Sequence, residues 1–229
     1  RESSGKNFLK DGSAKAAEVG FKPVVVAPVT AKFLLDHIVG KMGLGTEAAQ
    51  YYAVDQNFQP DVESLDALLK QLQNDNKTVV THLLFGGDAT RGIMHNNVGK
   101  VAAVHRRIGK KPLLVVDASS QWLVAYATGK GRQFDFSNPD VDMIIADPQK
   151  VGFPYFTSFL FMRNCQLFDS FNDDPSGYID PVMDLPKKGI MSSRGITGEF
   201  AFMTYWFVFG QEGLQEKGLH DFELAEKMR

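Results

Sequence analysis

Short, almost wholly apolar runs alternate along this chain with longer stretches whose apolar residues recur at helical spacing. The runs are "KPVVVAPV" (Lys22 to Val29), "TVVTHLLFGG" (Thr78 to Gly87), "PLLVVDAS" (Pro112 to Ser119) and "VDMIIAD" (Val141 to Asp147). A strand that is apolar on both of its sides has no face to give to water, so it must be covered above and below. "YYAVD" (Tyr51 to Asp55) and "FTSFLFMR" (Phe156 to Arg163) read as further strands. Between them, "AKFLLDHIVGKMGLG" (Ala31 to Gly45) is amphipathic, with Phe33, Leu34, His37, Ile38 and Met42 as its apolar stripe and Gly45 at its cap. His37 falls on that stripe and reads as a core histidine. "DVESLDALLKQLQND" opens with Asp61 as an N-cap and Glu63 in the first turn. "NVGKVAAVHRRIG" ends in cations and Gly109, as a helix C-terminus should. "GEFAFMTYWFVFG" (Gly198 to Gly210) is apolar all round, which normally means burial. The pattern predicts an α/β fold: a three-layer α/β/α arrangement around a mainly parallel mixed sheet.

Composition narrows the function classes. The 229 residues are 44% hydrophobic, enough for a sizeable core. A net charge of -2 and a pI near 6.2 provide no basic surface for nucleic acid or anionic lipid. Cys165 is the single cysteine, so no internal disulfide can form, which fits a reducing, cytoplasmic setting. No apolar run approaches the roughly 20 residues of a membrane span. The opening "RESSGKNFLKDG" lacks a signal-peptide core and reads like the middle of a helix.

In a parallel sheet covered on both faces, chemistry collects at the carboxyl ends of the strands. Three such ends are informative: "FGGDATRG" after Leu84, Asp117 closing "LLVVD", and "ADPQK" closing "VDMII". Each has a plain structural reading. Gly86 and Gly87 can turn the chain, Asp117 can cap the next helix, and Lys150 can be a solvated turn residue. Together, a strand-end carboxylate and a later strand-end lysine match the needs of pyridoxal phosphate. The amine captures the aldehyde, and the carboxylate keeps the pyridine nitrogen protonated so that the ring accepts electrons. The small Ala118 would let the ring lie close. The apolar flanks of Lys150 would remove its amine from water.

These segments resemble the group II pyridoxal-phosphate-dependent decarboxylases, of the tyrosine, glutamate and aspartate kind. "ADPQKVGFPYF" is similar to the family's "DPHKMGYVPY", "LLVVDAS" to "HVDAA", and "FGGDATRGIMHNNVGKVAAV" to "GSTEEGAIDGIDKIVAL". The stretch from "VVVAPVTAKFLL" to "DVESL" and the later "SSRGITGEFAFMTYWFVFG" follow the family with similar spacing. The resemblance implies a fold-type-I large domain and amino-acid decarboxylation through an aldimine at Lys150, with Asp117 on the pyridinium. Cofactor contacts would come from Ala118, Gln149, Thr90, Ser192 and Ser193, with Arg194 for a substrate carboxylate. It also implies a homodimer with the site near the subunit interface. Residues 1–229 would be a partial large domain, without the family's phosphate loop and its carboxyl-terminal small domain. Two positions depart from the family pattern: Lys32 and Gln149 stand where its members carry histidines. The alternatives are a related pyridoxal-phosphate carbon–carbon lyase and a non-catalytic subunit that has lost its site.

Overall fold

The computed structural model describes residues 18–88, 93–95, 97–109, 111–154, 157–164, 166–169 and 197–228. Each long apolar run becomes a strand: β1 (Pro23–Pro28), β2 (Ala49–Tyr52), β3 (Thr78–Phe85), β6 (Leu113–Asp117), β7 (Met143–Ala146) and β8 (Phe159–Met162). They form one six-stranded sheet in the order β2-β1-β3-β6-β7-β8. All neighbours are parallel except β7 and β8, so the sheet is mainly parallel and mixed, as the apolar runs require. A two-stranded antiparallel pair, β4 (Gly87–Asp88) with β5 (Ile93–Met94), stands apart from it.

The helices between the strands cover both faces. They are α1 (Lys32–Lys41), α2 (Val62–Asn74), α3 (Val98–Ile108) and α4 (Trp122–Thr128), followed by the short α5 (Gln166–Asp169) and the long α6 (Thr197–Lys227). Strand side chains alternate between faces, and the core divides accordingly. Val24, Val26, Leu84, Leu114 and Val116 point one way and meet Leu65, Leu69 and Leu72 of α2 and Val98, Val101 and Ala102 of α3. Ala27, Leu83 and Val115 point the other way and meet Ala31 with Leu35 and Val39 of α1.

Local signals behave as their chemistry demands in α2 and α3. Asp61 accepts hydrogen bonds from the Glu63 and Ser64 amides at 2.9 and 3.1 Å, closing the α2 N-terminus. Gly109 ends α3 in the left-handed region at φ 70°.

In α1 the apolar stripe is a different one from that expected. Ala31, Leu35 and Val39, four residues apart, face the sheet, while Phe33, Ile38 and Met42 are exposed and His37 is a surface residue. The surface beneath includes Ala27 and Ala49 of the sheet and Ala48 just before β2, and the packed helix positions are the ones that repeat every fourth residue over it. The helix also stops earlier than expected, at Lys41, with Gly43 rather than Gly45 as the first residue at positive φ. The apolar segment of α6 is not buried either. Phe200, Met203, Trp206, Phe207, Val208 and Phe209 are all exposed, and Gly210 breaks the helix at φ 63°, ψ -167°. Beyond that break, Gly218 lets α6 lie directly on α4: a Cβ there would stand 2.5 Å from the Ala127 Cβ. No helix among the described residues is long and apolar enough to cross a membrane.

A polar chain runs through the core. His82 of β3 and His105 of α3 are both buried, with His82 Nδ1 2.6 Å from His105 Nε2. The Tyr52 hydroxyl lies 3.1 Å from His82 Nε2. A contact of 2.6 Å between two imidazole nitrogens holds one proton, since two N–H groups cannot face each other there. The pair is therefore built for two neutral rings. Burial drives the His82 imidazole well below its ordinary value, with His105 adding to the effect. Burial alone brings His105 down to about 4. In the unfolded chain both rings take up protons near pH 6.5, whereas the folded chain does not, so the unfolded state gains protons first as pH falls. Stability is therefore fully present above about pH 6.5 and declines below it, by up to about 1.4 kcal/mol per pH unit for each ring. Urea unfolding of the chain should show a midpoint that drops between pH 7 and pH 5. His105→Gln should flatten that drop, and an unchanged slope in the variant would contradict the assignment.

Candidate active site at the ends of β6 and β7

β6 and β7 run parallel and side by side, with Asp117 opposite Ile145. Their carboxyl ends therefore open on the same edge of the sheet. Asp117 is the last residue of β6, and Ala118 and Ser119 follow it. β7 ends at Ala146, and a single 3-10 turn, Pro148–Val151, carries Lys150. Pro148 fixes the first position of that turn, and Gly152 closes it at φ 90°, a conformation that strains any residue with a Cβ.

The two residues on which the sequence argument rested converge on a third. Asp117 Oδ1 accepts a hydrogen bond from the Ser119 amide at 2.9 Å. The Lys150 ammonium donates to Ser119 Oγ at 2.8 Å. Asp117 and Lys150 thus touch one residue from opposite strands. The Lys150 ammonium also forms an ion pair with Asp147 Oδ2 at 3.0 Å. Asp147 is buried, Lys150 is roughly half exposed, and the amine sits at the boundary between them. The main chain holds this arrangement in place. The Ala118 amide donates to the Ile145 carbonyl at 2.9 Å, the Gly86 amide to the Asp117 carbonyl at 2.8 Å, and the Lys150 amide to the Asp147 carbonyl at 3.1 Å.

Other expected residues have different positions. Ala118 is completely buried beside Gly86, in the cluster that holds Leu114, Val116 and Phe134, and the small side chain that the amine touches is that of Ser119. Gln149 lies next to Lys150, and its Oε1 accepts from the Thr157 amide at 3.2 Å, tying the turn to the segment before β8. Lys32 is on the exposed side of α1, paired with Asp36 at 2.8 Å and set over the Tyr51 ring. Thr90, Ser192, Ser193 and Arg194 lie outside the described residues.

Sequence reasoning passed over three contributors. Ser119 and Asp147 are short polar residues at strand ends, where capping is the default role, and only the fold shows what they touch. The third is His95, buried just after β5. Its amide donates to the Gly86 carbonyl at 3.0 Å, and its Nδ1 donates to the Phe85 carbonyl at 2.9 Å, at the end of β3 beside β6. A carbonyl can only accept, so the proton of this ring is on Nδ1.

An aromatic wall stands behind the lysine turn. Phe153 is buried, 4.4 Å from Tyr205 and 5.3 Å from Phe202 of α6, and 6.0 Å from Trp122 of α4 between ring centres. Leu123 and Leu214 complete the cluster. Trp122 Nε1 reaches the Asp147 carbonyl at 3.4 Å.

The donor set is an amine, a carboxylate and a hydroxyl at one open sheet edge. These residues fit pyridoxal phosphate: the amine matches its aldehyde and the carboxylate matches its basic ring nitrogen. Among the described residues no cluster of histidine, cysteine, aspartate or glutamate could hold a metal ion.

Solved structures of other proteins share this fold over most of the chain. The mouse CSAD structure superposes with a TM-score of 0.81 at 17% identity, covering 96% of this chain and 47% of that one. The structure of Oryza sativa TDC with PLP and tryptamine gives a TM-score of 0.76 at 17% identity, covering 92% and 44%. The glutamate decarboxylase domain of the diaminobutyrate-pyruvate transaminase and L-2,4-diaminobutyrate decarboxylase from Vibrio parahaemolyticus gives 0.71 at 15%, covering 94% and 40%. The chain spans less than half the length of these structures. No family model matches the sequence. No curated protein matches it either.

Removing the Phe153 ring should cost about 3 to 5 kcal/mol, the usual range for truncating a buried aromatic residue. Phe153→Ala should therefore unfold at clearly lower urea than the parent chain while its circular dichroism before the transition is unchanged. A shift under about 1 kcal/mol would mean that the wall does not clamp the turn.

Proposed function

We propose that this chain carries the pyridoxal-phosphate site of an amino-acid decarboxylase, with Lys150 as the cofactor-bearing amine and Asp117 as the partner of the pyridine nitrogen. The observation that carries the reading is the convergence of both residues on Ser119. Two charged groups of opposite sign at neighbouring strand ends, linked through one hydroxyl-bearing residue, can face one ligand together.

When bound, pyridoxal phosphate supplies an electron sink for the bond between the substrate Cα and its carboxylate. The protein's part is binding, orientation and proton placement. Lys150 provides the nucleophilic amine, and an incoming substrate amine would displace it. Asp117 would hold a proton on the ring nitrogen and so keep the ring electron-poor. The Phe153 cluster packs behind the lysine turn and would brace it. Phosphate contacts from Thr90, Ser192 and Ser193 and a substrate contact from Arg194 belong to the same reading, as does a cytoplasmic location.

A second reading, a non-catalytic subunit built on the same fold, is favoured by two side chains. Lys32 is engaged by Asp36 on the exposed side of α1, and Gln149 is tied to the Thr157 amide. Neither is free to stack on a cofactor ring or to carry its proton. A carbon–carbon lyase would use the same amine and carboxylate, and product analysis separates the two chemistries.

The exposed aromatic face of α6 supports a homodimer. Phe200, Met203, Phe207 and Val208 bring large apolar surfaces to water on a single helix, and patches of this kind mark association sites.

Cofactor-loaded protein should absorb in the visible range, and borohydride should fix the label on the Lys150 peptide. Lys150→Ala should lose both the colour and the label. Carbon dioxide release from tyrosine, glutamate or aspartate then identifies decarboxylation, and colour without gas favours the lyase. A colourless protein supports the non-catalytic subunit. Sedimentation at rising concentration should show a dimer, which a Phe207→Glu variant should weaken at least tenfold; a monomer throughout would argue against the α6 face as an interface.

A further inference from the structure

We infer that Asp147 is the residue that controls Lys150: its carboxylate holds the Lys150 ammonium against Ser119 and restrains it from giving up the proton that it must lose before it can attack an aldehyde. The inference rests on the reading of Lys150 as the cofactor-bearing amine.

Asp147 is 7% exposed, an unusual setting for a carboxylate outside a built site. Its Oδ2 has the Lys150 ammonium at 3.0 Å. Its Oδ1 is buried with no hydrogen-bond partner among the described residues. Half of this carboxylate is therefore satisfied only through the lysine, and a buried charge without a partner is costly. The backbone leaves it no way out. The Asp147 amide donates to the Ser119 carbonyl at 3.4 Å, and its own carbonyl receives Trp122 Nε1 and the Lys150 amide. The turn then folds Lys150 back over Asp147 at a spacing of three residues. A purely structural pair would need no half-solvated amine directed at the Ser119 hydroxyl.

Among the described residues, two further sets of charged groups stand near the turn. Asp117 faces the amine from β6 only through Ser119. From α6, Lys217 lies beside Gly152 and is engaged by Asp221 at 3.1 Å. Asp147 is thus the carboxylate in direct contact with the Lys150 amine.

The proton balance is simple. An ammonium and an aldehyde combine to form a carbon–nitrogen double bond, one water and one proton. The ammonium nitrogen loses its hydrogens, the aldehyde oxygen leaves as water, and the remaining proton passes to solvent at the half-exposed amine. While the carboxylate is charged it favours the ammonium, so it restrains premature reaction.

The test uses pyridoxal phosphate as the probe and borohydride trapping with peptide mapping as the readout, over a range of pH. In the parent chain Lys150 should be the labelled lysine. Asp147→Asn keeps the shape and removes the charge, so the rise of Lys150 labelling with pH should move to lower pH. Asp147→Glu should restore the parent profile. Asp147→Ser, with the same expected shift, serves as a second uncharged variant if Asp147→Asn does not fold. Lys150 labelled with the same pH profile in parent and uncharged variants, or a shift to higher pH, would overturn the inference while leaving the proposed role of Lys150 intact. Absence of label on Lys150 in the parent would overturn both.

Discussion

Backbone pairing between β6 and β7 is the constraint on which the rest of the site depends. Parallel strands in register finish on the same edge, so a residue at the end of one stands beside the residue that follows the other. Here the register sets Asp117 opposite Ile145, one residue short of the end of β7. A slip of one residue would move Asp117 to the face that Leu114 and Val116 occupy, because strand side chains alternate. Hydrophobic burial on both faces prevents that slip. Val116 and Leu114 are committed to one core cluster and Val115 to the other. The packing of apolar residues far from any reacting atom therefore fixes where the charged ones stand.

The second layer of support comes from far along the chain. α6 contributes Phe202, Tyr205 and Leu214 to the cluster around Phe153, and this cluster braces the turn that carries the lysine. Packing at Gly218 brings α6 close to α4, whose first residue, Trp122, reaches the Asp147 carbonyl. The amine is thus held by Asp147 of its own turn and by Ser119 after β6, and the turn itself packs against the aromatic cluster. Its tip remains partly in solvent, where a ligand can reach it.

How much of this was legible in the sequence depended on how local the signal was. The strands were legible because an apolar run covered on both faces has few other solutions. Asp61 and Gly109 were legible because capping is decided within four residues. The placement of Asp117 and Lys150 at strand ends was legible because apolar runs in such sheets end where the polar residues begin. Ser119 and Asp147 were not, since a serine after a strand and an aspartate before a proline usually cap or turn, and their role depends on register between strands distant in sequence. The face of α1 was misjudged for a related reason. Phe33 and Met42 are more hydrophobic than Ala31, but the shallow surface of Ala27, Ala48 and Ala49 accepts Ala31, Leu35 and Val39. The exposed aromatic residues of α6 contradict the rule that an all-apolar helix is buried, at least within the described residues. The contact between His82 and His105, on a strand and a helix, had no signal in sequence at all.

Gly210 interrupts α6 in a backbone region that is essentially reserved for glycine. Mechanically, the interruption makes two rods of one. The rod after it is anchored on α4 through Leu214 and Gly218, while the rod before it, Thr197 to Phe209, carries the aromatic residues. At about 1.5 Å of rise per residue that first rod is roughly 20 Å long, so about ten degrees of bending at Gly210 would carry its far end some 3 Å. Such a lever converts a small torsion at one residue into a displacement as large as a bond to a ligand. Phe202 and Tyr205 sit partway along it, against Phe153. The angle at Gly210 is therefore geometrically linked to the aromatic cluster around Phe153, and a surface that grips the exposed side of the rod would also be gripping the packing behind the lysine turn.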